Sequence, residues 1–216
     1  MKQFEEGDYY APAVKYRFSG IAEDLQRLDQ LLTDVAALVP WPNFGNEVTV
    51  VNLACGRADE TGVLWKHFFR KNQRAWYFGC DLRQAEIQEA RGRWKSPLGV
   101  DWHIDFRVGD AANTSHLPER ASTRGIADVI FIRHQNFWDA PAVWDRIFNN
   151  AKHLLRDNGR LVITSYFDRE HELALASLKT NGFTLLVDVP HHAGRMLHDA
   201  PGKFVDRKIA VLCRGE

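Results

Sequence analysis

Apolar residues recur at threes and fours through Ile21, Leu25, Leu28, Leu31, Leu32, Val35 and Leu38. That period predicts an amphipathic helix over 21–38, with Ser19 as its N-cap and Pro40 and Pro42 just past its end. From residue 47 the pattern changes to short apolar runs alternating with helical periodicity. The runs EVTVVNLA (47–54), AWYFGCD (75–81), VDWHIDFRVGD (100–110), ADVIFIRH (127–134) and RLVITSYF (160–167) read as strands. Helices are expected between them: one through Val63, Leu64, Phe68 and Phe69, one over 82–94, and one over 139–159. In the third, Asp139 can cap, Pro141 sits in the first turn and Gly159 lies past the end. A further helix over 169–182 ends at Gly182. Residues 111–126 form a loop with room for one helical turn. FTLLVDVP (183–190) and FVDRKIAVLCR (204–214) are two last strands joined by a helix-free connection.

Nearly continuous apolar runs mark strands covered on both faces, the situation of a parallel sheet between helical layers. Two successive strands without a crossover must pair antiparallel. The expected fold is therefore α/β: a doubly wound, seven-stranded, mostly parallel sheet with a C-terminal antiparallel hairpin, in three layers α/β/α. Two parts are expected, an N-terminal segment and helix over 1–46 and the sheet domain over 47–216.

Composition narrows the class. Hydrophobic residues make up 45% and charged residues 26% of 216 residues, so a full core forms and disorder or a collagen-like chain is excluded. Twenty-eight basic residues balance 28 acidic ones, which removes any global electrostatic pull toward nucleic acid or anionic membrane. Cys55, Cys80 and Cys213 stand far apart, neither a zinc spacing nor a disulfide framework, so reduced thiols and a cytoplasmic setting are expected. The first twenty residues lack the apolar stretch of a secretory signal, and no apolar run approaches the ~18 residues that span a bilayer. No membrane partner is expected.

Candidate chemistry begins at the first strand-to-helix turn, NLACGRADETG. In open α/β sheets ligands bind beyond the carboxyl ends of the strands. Gly56 lets backbone approach a ligand without a Cβ in the way. Helix amides near Asp59 and Glu60 would favour an anionic group. VVNLACGRA resembles motif I of class I S-adenosylmethionine-dependent methyltransferases, with Cys55 and Gly56 matching, Ala54 and Ala58 standing for glycines and Asn52 for an acid. Further matches follow in order at Asp81, at VGDAANTSHLP, at ADVIFIRHQNFW and at NNAKHLLRDNGRLVIT, and the resemblance spans 47–214. A nicotinamide-dinucleotide site would want G-x-G-x-x-G and an earlier acid.

The resemblance implies a Rossmann-like fold, S-adenosyl-L-methionine as cofactor, and a cofactor site on named residues. Asp81, with Leu82 beside it, would bridge the ribose hydroxyls, as a carboxylate accepting two hydrogen bonds can. Asp110 and the Ala111 amide would receive adenine. Ala54 and Gly56 would line the turn, and Asn52 and Arg133 would lie toward the methionine end. The fourth-strand exit, Arg133 to Trp138, faces the transferred methyl in this fold, and His134 is the candidate base. It lacks the (N/D/S)-P-P-(Y/F/W) motif of adenine- and glutamine-directed enzymes. Tyr9, Tyr10, Tyr16 and Phe18 would help residues 1–46 lid a substrate pocket.

No metal site is expected: His191, His192 and His198 lack an established ligand spacing. Lys66, His67, Arg70, Lys71 and Arg74 form a basic helix end. The expected activity is methyl transfer to oxygen or nitrogen of a small-molecule acceptor. Methylation of RNA or protein stays open, as does a non-catalytic cofactor-binding or interaction module of the same fold.

Overall fold

The computed structural model describes residues 18–70, 73–96 and 99–215. Its strands are β1 (Glu47–Leu53), β2 (Arg74–Asp81), β3 (Trp102–Val108), β4 (Ala127–Ile132), β5 (Leu155–Ser165), β6 (Phe183–Pro190) and β7 (Lys208–Arg214). They form one sheet in the order β3-β2-β1-β4-β5-β7-β6. β1 to β5 run parallel, and β7 lies antiparallel between β5 and β6. The final hairpin is the antiparallel pair that its helix-free connection requires.

Side-chain alternation assigns the two faces. Val48, Val50, Tyr77, Val129 and Phe131 meet α1 (Ile21–Leu38), α2 (Thr61–Phe68) and α3 (Gln84–Arg93). Val51, Leu53, Phe78, Ile130 and Ile132 meet α4 (Glu119–Ser122), α5 (Pro141–Leu154) and α6 (Asp168–Thr180). Trp65, Trp94 and Trp102 pack edge to face in the first layer, with Trp65 5.3 and 5.8 Å from the other two. The result is the three-layer α/β/α arrangement.

Element ends differ from the sequence expectation at three places. α1 begins after Gly20, at φ 83°, without a side-chain cap, so Ser19 does not cap it. α5 likewise starts from Ala140 uncapped, because the Asp139 carboxylate accepts from the Asn136 amide instead. α5 also stops at Leu154, and 155–159 join β5. Gly159 explains the longer strand: a Cβ there would stand 3.0 Å from the Ala127 and Asp128 carbonyl oxygens, so only glycine lets β5 close on β4. Asp128, at the register shift, turns its carboxylate to the Thr49 amide at 2.8 Å and to Arg156 at 2.7 Å.

Strand order reverses between β1 and β4, whose neighbours continue in opposite directions. The turns leaving β1 and β4 therefore diverge and open a crevice at the carboxyl ends of the strands. No described helix is long and apolar enough to cross a membrane.

Candidate active site

A cleft of about 360 Å³ occupies that crevice. The β1–α2 turn supplies Ala54, Cys55, Gly56, Arg57, Asp59 and Glu60, the end of β2 supplies Asp81, and the exit of β4 supplies Arg133 and His134. Arg83, Glu86, Trp144 and Tyr166 complete it. Sequence-expected residues Ala54, Gly56, Asp81, Arg133 and His134 thus come together.

The turn has an unusual backbone. Ala54, Gly56 and Ala58 all take positive φ, at 55°, 54° and 51°. The chain keeps a glycine conformation at every second residue while carrying alanine at two of them. A Cβ on Gly56 would fall 2.8 Å from a Glu86 carboxylate oxygen and 3.1 Å from Arg83, so the ends of these two side chains close over the glycine. The Gly56 amide donates to Asp81 at 2.8 Å, which locks the turn to the end of β2. Asp81 also accepts from the Arg83 amide and Nε, each at 2.9 Å. Burial pushes the Asp81 carboxyl up, but Arg83 and the amides prevail and hold it below its usual range. Arg83 itself is 61% exposed and also bonded to Glu86 at 2.9 Å, whereas the Asp81 carboxylate it covers is only 6% exposed.

Beneath the cleft runs a buried polar chain that sequence reasoning missed. Asn52 donates from Nδ2 to Glu60 at 2.5 Å and to the Tyr77 hydroxyl at 2.9 Å. Glu60 lies 3.6 Å from Arg133. Arg133 grips Asp206 through Nε at 3.0 Å and a terminal nitrogen at 2.6 Å. Asp206 also accepts from Thr164 at 2.8 Å and lies 2.8 Å from His134 Nε2. Burial would raise the Asp206 carboxyl, but Arg133 and His134 drive it well below its ordinary value. Burial lowers His134 below the usual histidine range despite Asp206, so its ring is neutral at neutral pH.

One proton then remains on the ring. The Asp206 amide is 3.1 Å from Nε2 and the carboxylate 2.8 Å. A carboxylate's full charge outweighs an amide dipole, which puts the proton on Nε2 and a lone pair on Nδ1. The imidazole stacks on Tyr166 at 3.9 Å, and its backbone is held at φ 59° by the Thr164 carbonyl.

Other expected site residues stand apart. Asn52 is wholly buried under the turn and does not line the cleft. Leu82 is 68% exposed. Asp110 spends one carboxylate oxygen on the Ala112 amide at 2.9 Å, a local turn, and Ala111 is buried with its carbonyl bonded to Asn150. Both follow β3, beside β2 and outside the cleft lining. Arg133 is already bidentate with Asp206 and is not free to grip a carboxylate or phosphate. The start of α2 carries two acids, Asp59 paired with Arg57 and Arg93, and Glu60, so it does not welcome an anion. His191 is buried against the Asp206 carbonyl, while His192 and His198 are exposed. No group of metal-ligating residues is found among the described residues. Tyr9, Tyr10 and Tyr16 lie outside the described residues; Phe18 is exposed, with the Arg57 guanidinium 4.8 Å over its ring.

A family model described as a methyltransferase domain matches residues 45–200. A search of curated proteins found no match. Solved structures share the fold at low identity. An S-adenosylmethionine-dependent methyltransferase from Clostridium acetobutylicum is 12% identical, over 89% of this chain and 92% of that one, at TM-score 0.60. Geranyl diphosphate C-methyltransferase from Streptomyces coelicolor, solved with Mg2+, geranyl diphosphate and S-adenosyl-L-homocysteine, is 13% identical over 95% and 86%, at 0.62. A Pyrococcus horikoshii protein is 15% identical over 98% and 100%, at 0.62. With its strand order, C-terminal hairpin and cleft at the β1–β4 reversal, the chain belongs to the methyltransferase-domain family, as a class I S-adenosylmethionine-dependent methyltransferase.

The residues present fit that cofactor. Gly56 lines the cleft at the turn without a Cβ, and Asp81 stands at the end of β2 with its carboxylate held by Gly56 and Arg83. Four carboxylates, Asp59, Glu60, Asp81 and Glu86, line a cleft with three guanidinium groups, which suits a cationic molecule.

Proposed function

We propose that the enzyme transfers a methyl group to an oxygen or nitrogen of a small organic molecule that gives up a proton in the reaction. The buried His134–Asp206 pair at the edge of the cleft carries this reading. S-adenosylmethionine supplies an electrophilic methyl group on a sulfonium. Ala54, Gly56 and Asp81 hold the cofactor, with Arg83 turned aside; Leu82, Asp110 and Ala111 flank its base, and Asn52 and Arg133 lie under its methionine end. His134 Nδ1 takes the acceptor's proton, and Asp206 fixes the tautomer that leaves Nδ1 free. Tyr166 and Trp144 offer aromatic walls to an organic acceptor. Phe18, with Arg57 of the cleft lining over its ring, offers a further wall beside the cleft.

The small-molecule class draws support from the similar fold of a geranyl diphosphate methyltransferase, although that enzyme's name places its methyl on carbon. An RNA acceptor is less well supported, because the basic helix end is largely neutralised: Lys66 and His67 contact Asp29, and Arg74 contacts Asp101. Three free thiols agree with a cytoplasmic setting.

Labelled S-adenosylmethionine incubated with phenols, carboxylic acids, amines, total RNA and total protein tests the class. Label should enter a small molecule; label entering only RNA or protein overturns the reading. With a working acceptor, His134→Ala should lower turnover about 100-fold or more. Asp206→Asn should lower kcat and move the acidic limb of the pH profile. A near-native His134→Ala rate would remove the base.

A further inference from the structure

The buried chain beneath the cleft is short of one cation. Arg133 is its one positive charge, and it faces two carboxylates, Asp206 and Glu60. Asp206 takes both of the short contacts, at 3.0 and 2.6 Å. Glu60 is left with a 3.6 Å approach, too long for a hydrogen bond. The neutral His134 adds nothing. One carboxylate is therefore left without a full counter-charge beside the cleft, on a residue that is 4% exposed and whose carboxyl burial pushes up.

A second observation points the same way. Asn52 is fully buried, and its Oδ1 has no hydrogen-bond partner. Its amide cannot be turned round to mend this, because Nδ2 is the only end that can donate to the Glu60 carboxylate. A buried acceptor without a donor is costly, about 1–3 kcal/mol, and is tolerated where a ligand or water completes it. An unbalanced carboxylate and an orphaned carbonyl thus sit together under the glycine turn, and both call for N–H groups.

S-adenosylmethionine carries two cationic centres, a sulfonium and an α-ammonium. Only the ammonium has hydrogens to donate. We infer that Glu60 is the recognition residue for the α-ammonium group of the cofactor, with Asn52 as the amide that aims its carboxylate. This deepens the reading of the cleft as a cofactor site and rests on it. The chain has placed its acid at the start of α2 and an amide at the end of β1, and the hydrogen bond between the two fixes the geometry.

The reaction's product and a truncated analogue of the cofactor separate the possibilities. S-adenosylhomocysteine keeps the ammonium and lacks the sulfonium; 5′-methylthioadenosine keeps the adenosine and lacks the whole amino-acid arm. Calorimetry with all three ligands on wild type and Glu60→Gln is the experiment. Glu60→Gln should weaken S-adenosylmethionine and S-adenosylhomocysteine alike, roughly 10- to 100-fold, and leave 5′-methylthioadenosine unchanged. The paired exchange Asn52→Asp with Glu60→Gln keeps the same groups and charge with their places swapped, and should recover most of the S-adenosylhomocysteine affinity. Loss of S-adenosylmethionine alone would assign Glu60 to the sulfonium. Equal loss of 5′-methylthioadenosine, no loss at all, or a swap that recovers nothing would each overturn the inference. Wild type binding none of the three would instead remove the cofactor-site reading itself.

Discussion

At the scale of single residues, the β1–α2 turn holds stored backbone strain. Ala54 and Ala58 sit in the left-handed region, which costs an L-residue roughly 1–2 kcal/mol. The locks that keep them there are visible: the Ala58 amide bonds to the Cys55 carbonyl, and Gly56 to Asp81. Ala54→Gly should therefore stabilise the protein by about 1 kcal/mol, with the loss of strain outweighing the added chain entropy. Urea unfolding would register this as a higher midpoint with unchanged slope; a lower midpoint would mean the strain is not there. Ala58→Gly should gain less, because its methyl is fully buried in the core and would be lost.

At the scale of elements, the first turn of α6 makes a pH-dependent contribution. Glu170 is 1% exposed and accepts from the Tyr166 amide at 3.2 Å. Burial pushes its carboxyl up to about 7, from an ordinary value of 4.5, against several backbone amides that pull it down. The folded chain then holds a proton that the unfolded chain gives up near 4.5. Stability from this group is full below that value, declines as pH rises, and is lost above about 7. The shift corresponds to a decline on the order of 3 kcal/mol. Glu170→Gln keeps the acceptor and removes the titration, so its stability between pH 5 and 7 should be flatter than wild type. Parallel declines in the two proteins would reassign the effect to other groups.

At the scale of the whole molecule, α1 is tied to the catalytic edge through the connection between β6 and β7. Arg195 reaches Asp24 at 2.9 and 2.5 Å, and its carbonyl accepts from Val205, next to Asp206. The chain of contacts runs from helix to loop to the group that holds His134 and Arg133. Because Arg195 is 39% exposed, water screens the pair, and Asp24→Asn should cost only about 1–2 kcal/mol. Its effect should be local: faster hydrogen exchange in 21–27 and 194–206, with β1 to β5 unaltered. Exchange that accelerates evenly across the sheet would show that the contact supports the fold at large rather than this edge.

Short apolar runs and helical periods carried the seven strands, their parallel and antiparallel pairing and the two-faced core, because burial on both sides leaves a mark at every position of a strand. Turn chemistry at the first strand end pointed to Gly56, and the family resemblance pointed to Asp81 and His134 at later strand ends; all three line the cleft. Local reasoning could not find Glu60, Asp206, Tyr77 or Tyr166 as partners of one another. Asp206 is 72 residues from His134 and looks, in VDRK, like any loop acid. Nor could it see which acid Arg133 pairs with or that Ala54 keeps a glycine's backbone. Hydrophobic pattern is a property of neighbours along the chain, so the sequence alone determined the architecture. Charge balance and hydrogen-bond satisfaction are properties of neighbours in space, and only the closing of β1, β4 and β7 into one sheet decided which polar groups share a site.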